Sequence, residues 1–288
     1  MNPLLEARNL CYTYGAGTPF EKKAVQNVSF QIAKGEFVGI IGHTGSGKST
    51  MIQMLNGLIR PTSGQVLLSG RDIWEDPKKI RAVRFKVGMV FQYPEDQLFE
   101  ETVLKDIAFG PRNMGLTEAE IEQRAHDAAD FVGLPEELLS KSPFELSGGE
   151  KRRVAIAGVL AMDPDVLILD EPTAGLDPGG RDVLLSEIVS YHQKRGNTVL
   201  LVSHSMEDVA RVADRVLVMN ASVLQMFDTT EQVFSHGAEL ESIGLQVPQV
   251  TKIMLQLKAD GYPVKPCLTL EQAVGQLLPL LQRGGDAV

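Results

Sequence analysis

An octapeptide, Gly42-His43-Thr44-Gly45-Ser46-Gly47-Lys48-Ser49, joins an unbroken apolar run at residues 37–41 to a segment of helical character at 48–58. It fits GxxxxGK[ST], which average composition would produce by chance in roughly 1 in 100 chains of this length. The order strand, glycine-rich loop, helix restricts the fold sharply. A five-residue run that is apolar throughout suits a strand buried on both faces. Glycines let backbone N–H groups curl around phosphate oxygens, and the following helix offers its positive N-terminus to the same anion. Lys48 can then reach the β- and γ-phosphates and Ser49 can ligate Mg²⁺. Gly42, His43, Thr44, Gly45, Ser46, Gly47, Lys48, Ser49 and Thr50 are therefore the candidate nucleotide-binding residues of this segment. Without its flanks the octapeptide would be an ordinary glycine-rich turn.

The remaining pattern supplies a sheet around that loop. Residues 87–91, 166–169, 199–202 and 215–219 are short apolar runs with helical patterns between them, which predicts a parallel α/β core. Residues 4–10 and 28–32 alternate in part, as half-buried antiparallel strands do. From 92 to 165 the pattern is helical, with Thr117 a fitting N-cap for an amphipathic run to Val132, and reads as a helical insertion. Two amphipathic helices follow residue 235. Val250, Ile253, Met254 and Leu257 obey the i, i+3, i+4, i+7 rule, and Leu270, Ala273, Val274, Leu277, Leu278 and Leu281 continue it beyond Gly261-Tyr262-Pro263. The expected division is a nucleotide-binding unit at 1–235, with a helical subdomain at about 92–165, and an extension at 236–288. Its stripes either pack on each other or pair subunits.

Val166-Leu167-Ile168-Leu169-Asp170-Glu171 is a buried strand ending in two acids. Alone, such an end is usually solvated. Beside a phosphate loop it changes meaning, because ligands of open parallel sheets bind at the carboxyl ends of the strands. Asp170 would hold Mg²⁺ and Glu171 would act as general base on water. His43, His126, His192 and His236 show no ligand pairing. A net charge of −9, from 28 Lys+Arg against 37 Asp+Glu, argues against nucleic acid or an anionic membrane surface as a partner. Cys11 and Cys267 form no ligand spacing and suit a reducing compartment. Every apolar run falls far short of the ~20 residues that cross a bilayer, and no basic-then-apolar leader opens the chain. Any membrane part must come from another chain.

Leu146-Ser147-Gly148-Gly149-Glu150, followed by Lys151-Arg152-Arg153-Val154-Ala155-Ile156-Ala157, resembles the LSGGQ signature of ABC-type ATPases. Gln92 resembles the Q-loop glutamine, Ala174-Gly175-Leu176-Asp177 the D-loop, His204 the switch histidine and Tyr14 the aromatic that stacks on adenine. The elements fall in family order over roughly residues 4–235. This resemblance implies an α/β P-loop NTPase fold of ABC cassette type: a RecA-like parallel core, an antiparallel β subdomain and a helical subdomain. It implies ATP and Mg²⁺ as cofactors, with Glu171, His204 and Gln92 catalytic and Ser49, Gln92 and Asp170 around the metal. Tyr14, the phosphate loop, Ser147, Gly148, Gly149, Glu150 and Asp177 would contact nucleotide, the last five in a head-to-tail sandwich of two cassettes. There are two departures. Glu150 stands where glutamine is usual and adds negative charge near nucleotide, and residues 219–223 lack the usual hairpin glycine, so Asn220 is expected to take the left-handed position.

Phe91-Gln92-Tyr93-Pro94-Glu95-Asp96-Gln97-Leu98-Phe99 resembles the FQxPxxQ segment of energy-coupling factor and cobalt-type importers, and residues 15–22 and 41–45 are similar to the A-prime ATPase of vitamin-uptake systems. The implied partners are a second, related ATPase (a heterodimer, or alternatively a homodimer), a transmembrane T component and substrate-binding S components for vitamins or metal ions. The implied place is peripheral, on the cytoplasmic side of the cell membrane. The alternatives are an ATPase of another ABC importer or exporter, or a non-transport ABC ATPase. Only 54 positions separate Gln92 from Leu146, too few for the coiled coils or zinc modules of DNA-repair members. Residues 95–150 carry 14 Asp+Glu against 4 Lys+Arg, either as solvated helix faces or as a dock for basic helices of a membrane partner.

Overall fold

The computed structural model describes residues 3–284. Its strands are β1 (Leu5–Tyr14), β2 (Lys22–Ile32), β3 (Phe37–Ile41), β4 (Ser63–Leu68), β5 (Arg71–Asp72), β6 (Val87–Val90), β7 (Val166–Asp170), β8 (Thr198–Val202), β9 (Arg215–Asn220) and β10 (Val223–Thr229). Its helices are α1 (Lys48–Leu55), α2 (Ile80–Lys86), α3 (Val103–Asn113), α4 (Glu118–Phe131), α5 (Glu136–Leu139), α6 (Gly148–Leu160), α7 (Pro178–Arg195), α8 (Met206–Val212), α9 (Thr230–Ser235), α10 (Gly237–Ser242), α11 (Gln249–Ala259) and α12 (Leu270–Gly284).

The central sheet runs β10-β9-β3-β8-β7-β6, parallel from β9 to β6 with β10 antiparallel at one edge. Its strands are apolar throughout because both faces are covered. Phe37, Leu167, Leu169, Val199 and Leu201 face the helices α3, α4, α6 and α7, whereas Val38, Ile40, Val166, Ile168, Leu200 and Val202 face α1 and a second sheet. That sheet, antiparallel in the order β2-β1-β4-β5, buries Leu5, Val28, Phe30, Ile32 and Val66 against the same layer. The parallel core, antiparallel subdomain and helical insertion are those of an ABC cassette.

The insertion contains no strand between β6 and β7 among the described residues. Thr117 caps α4 in a reciprocal capping box with Glu120, and the helix buries Ile121, Ala125, Ala128 and Ala129. Further on, Leu240, Leu245 and Val247 pack with Phe234, Met206 and Ile41 on the edge of the central sheet. A separate small core begins at α11. Met254, Val264, Cys267 and Ala273 form its centre, with Val250, Leu257 and Leu277 against them. The α12 stripe is thus divided. Ala273 and Leu277 turn inward, while Leu270, Val274, Leu278 and Leu281 face outward, Leu281 being 73% exposed.

Candidate nucleotide-binding and catalytic site

The loop after β3 is held from behind by neighbours that leave no room for side chains. At Gly42 (φ 153°) a Cβ would meet the Ser46 hydroxyl at 2.7 Å and the Met219 carbonyl. At Gly47 (φ 101°) it would run into the Ala24 carbonyl. Ser46 is fully buried; its N–H donates to the His43 carbonyl at 3.1 Å and its own carbonyl accepts the Ser222 N–H at 3.1 Å. His43 reaches the same hairpin, its Nε2 lying 3.1 Å from the Asn220 side-chain oxygen. Asn220, expected to be left-handed, stays in β9, and Ala221 (φ 44°) and Ser222 (φ 70°) take the two turn positions instead. Positive φ at both central residues is the type I′ hairpin pattern, and the pairing of Asn220 with Val223 decides that Ala221 and Ser222 are the ones to adopt it.

Lys48 is buried and its ammonium donates to the carbonyls of Gly42 (2.6 Å) and His43 (3.2 Å). Burial pushes its pKa down, and the negative charges of Glu171 and Asp170 push it back up. Asp170, at the end of β7, is 8% exposed. Burial and then the adjacent Glu171 push its carboxyl up to about 6, against the opposing pull of Lys48, the Ser49 hydroxyl and His204. Glu171 has left-handed backbone (φ 52°), and its N–H donates to the Val202 carbonyl at 3.0 Å. Its carboxylate accepts Gln92 Nε2 at 3.1 Å and His204 Nε2 at 2.7 Å. Gln92, Glu171 and His204 leave the ends of β6, β7 and β8, three parallel neighbours, and meet because the strands end together.

Lys48, Gln92, Glu171 and His204 line a pocket of about 450 Å³ with Tyr14, Thr44, Gly45, Gly47, Ser49 and Thr50, and Asp170 lies buried behind them. Tyr14, 42% exposed, stands edge-on to Tyr12 with ring centroids 4.8 Å apart, and its hydroxyl lies 3.2 Å from that of Thr50. Lys22, opposite Tyr14 in the β1–β2 ladder, also lines the pocket. Sequence reasoning gave it no role, since only strand pairing turns it toward the loop.

Ser147, Gly148, Gly149, Glu150 and Asp177 do not line this pocket. Ser147 caps α6, accepting the Glu150 N–H at 3.4 Å, and donates its hydroxyl and N–H to the Glu150 carboxylate at 2.7 and 2.8 Å. Those bonds hold the Glu150 carboxyl below the usual range and give the departure from glutamine a local task, closing the helix start. Asp177 caps α7 through the Gly180 N–H at 2.6 Å. Arg152, buried on α6, was missed as a site residue. It pairs bidentately with Glu95 at 2.8 and 3.1 Å and donates to the carbonyls of Pro172 and Ala174 at 3.2 and 2.7 Å. Glu95 is therefore spent on internal structure, whereas Asp96 is exposed.

A model of the ABC transporter family matches residues 25–174. The energy-coupling factor transporter ATP-binding protein EcfA2 of Caldanaerobacter subterraneus subsp. tengcongensis is 51% identical over 279 residues, covering 96% of this chain and 98% of that protein. This chain belongs to the ATP-binding subunits of energy-coupling factor transporters. EcfA2 of Clostridium acetobutylicum is 54% identical over 280 residues, with 96% and 98% covered. Among solved structures, CbiO1 of Clostridium perfringens, described as part of the ABC transporter complex CbiONQ, superposes with a TM-score of 0.75 at 37% identity, over 88% of this chain and 99% of that one. The dimeric cassette MJ0796, described as a post-hydrolysis state bound to ADP and Pi, gives a TM-score of 0.71 at 28% identity, over 78% and 98%. As an energy-coupling factor ATPase the chain binds ATP and works within a transporter complex. Among its described residues no helix is long and apolar enough to cross a membrane.

Proposed function

We propose that this ATPase drives uptake of vitamins or metal ions as one of two head-to-tail ATPases on the cytoplasmic face of the cell membrane. The second would be a related chain, coupled with this one to a T component and exchangeable S components. The cassette is assigned to residues 1–235 and the extension to 236–288. The observation carrying the catalytic part is the convergence of Gln92 and His204 on the Glu171 carboxylate beside Lys48.

Tyr14 would stack on adenine, with Thr50 behind its hydroxyl. Backbone amides of residues 42–49 would cradle the phosphates, and Lys48 would exchange the Gly42 and His43 carbonyls for phosphate oxygens. Asp170, the Ser49 hydroxyl and the Gln92 amide oxygen make a hard oxygen donor set of the kind Mg²⁺ takes, and Asp170 is a buried carboxyl short of positive charge, so they fit that ion. When bound, it would neutralise charge developing on the phosphates. Glu171 would take a proton from water as general base; His204, donating Nε2–H to Glu171, would orient that carboxylate and sense the terminal phosphate. Ser147, Gly148 and Gly149 stand apart from this chain's own pocket, which supports a role toward nucleotide held by the partner ATPase, with Glu150 and Asp177 flanking that contact.

Glu171→Gln tests the reading. ATP binding is expected to persist while hydrolysis falls by the ~10²- to 10⁴-fold typical of a lost general base. Near-normal turnover in the assembled complex would overturn it. Chains copurifying from detergent-solubilised membranes test the partners: a second ATPase with T and S components is expected, and an unrelated transmembrane pair would refute that assignment.

A further inference from the structure

Two helices begin directly after loops that carry site residues, and charge ties them to each other. At the start of α7 the Asp177 carboxylate accepts the Gly180 N–H at 2.6 Å and its carbonyl accepts the Arg181 N–H at 3.0 Å. At the start of α8, just past His204, the Ser205 hydroxyl accepts the Asp208 N–H at 3.2 Å and the Ser205 N–H donates to the Ser203 hydroxyl at 3.0 Å. Arg181 is thus one hydrogen-bonded turn from Asp177, and Asp208 one turn from His204.

Their side chains face each other across the two helices. Arg181 Nε and Asp208 Oδ2 lie 3.8 Å apart, both atoms are buried, and neither has a hydrogen-bond partner among the described residues. On the rim beside them, Arg211 Nη1 and Asp182 Oδ1 are already joined at 2.7 Å. Burial pushes the Asp208 carboxyl up, while Arg181, Arg211 and the Ser205 hydroxyl hold it down and the nearby Asp182 adds to the upward push. A buried carboxylate left about 1 Å beyond the 2.7–2.9 Å of a charge-assisted bond forgoes a contact within reach. Closing that gap of about 1 Å would clamp α7 to α8 at their N-terminal turns. Neither Arg181 nor Asp208 lines the nucleotide pocket, so any effect on the reaction passes through the loops they anchor.

We propose that Arg181 and Asp208 are positioning residues: their pair closes as α7 seats on α8, fixing the Asp177 loop relative to His204 and the Glu171 carboxylate during hydrolysis. This rests on the reading that Glu171 and His204 handle the attacking water. The 2.7 Å His204–Glu171 contact leaves little tolerance for a shifted His204, and a misplacement of about 1 Å can cost up to ~10²-fold in rate.

The test uses the assembled transporter complex, with kcat and KM for ATP and the Tm of the complex measured for Asp208→Asn, Arg181→Gln, the double variant and Asp208→Glu, alongside Glu171→Gln. Both single variants are expected to lower kcat by about tenfold or more, and the double variant no further, because either change alone opens the pair. KM and Tm should stay near the parent values. Asp208→Glu, whose extra methylene spans the gap, should keep most of the turnover. A kcat within about twofold of the parent in Asp208→Asn, losses that add in the double variant, or losses that follow Tm or KM would each overturn the proposal. Full turnover in Glu171→Gln would overturn the catalytic reading and this inference with it; loss there with full turnover in Asp208→Asn overturns this inference alone.

Discussion

Replacing Asp170 by asparagine should make the nucleotide-free protein more stable at neutral pH while abolishing Mg²⁺-dependent hydrolysis. Asp170 titrates at about 6 in the fold against 3.8 as an ordinary aspartate, a rise driven first by burial and then by Glu171. A raised pKa means that the fold favours the neutral acid. Stability is therefore full below pH 4 and is lost as pH rises through about 6, where the folded chain must ionise a carboxyl that the unfolded chain ionised earlier. About 2 pH units at ~1.4 kcal/mol each set an upper bound near 3 kcal/mol above pH 7. Asparagine keeps the shape and carries no charge, so most of that difference should return. For a domain of this size about 1 kcal/mol corresponds to ~2–4 °C in Tm, so a gain of several degrees is expected at pH 8, falling to about a third of that at pH 4.5, where the unfolded aspartate is already mostly ionised. Thermal unfolding without nucleotide, followed by circular dichroism across that range, measures it. Mg²⁺ with ATP should raise the Tm of the parent protein more than that of the variant. An unchanged or lower Tm at pH 8, or a gain independent of pH, would refute the reasoning.

Ala221→Gly removes a side chain from a left-handed position (φ 44°) and should stabilise by about 0.5–1 kcal/mol, read as a higher Tm with unchanged turnover. Truncation before Pro248 removes the small α11–α12 core with the outward face of Leu270, Val274, Leu278 and Leu281; the cassette should stay folded while the proposed pairing with a second ATPase weakens in light scattering. Reversing Asp96 and Glu100 to lysine should release the ATPase from its membrane partner and leave ATP binding intact, measured by co-purification. Reversing Glu95 should instead cost stability, because it strands the buried Arg152.

The parallel core was legible because β3, β7 and β8 are buried on both faces, and such strands write themselves as continuous apolar runs. β4 and β10 were not. Ser63, Gly64 and Gln65 of β4 are exposed, and β10 is an edge strand with no fully buried residue, so neither shows a clean alternation. At the site, residues at strand ends and in the phosphate loop could be read from local pattern. Arg152 could not, since its partner Glu95 lies 57 positions away and a buried arginine within Lys151-Arg152-Arg153 looks like a solvated basic run. The hairpin failed for a related reason: a search for a residue tolerant of positive φ favoured Asn220, but strand register decides which residues turn.

Lys48 donates to the carbonyls of Gly42 and His43, the first two residues of its own loop. One ammonium therefore ties the start of α1 back to the end of β3, so the turn is braced by its own lysine as well as by the glycines seated against the Met219 and Ala24 carbonyls. Shortening that side chain would loosen the turn and remove the cation beside the pocket in a single stroke.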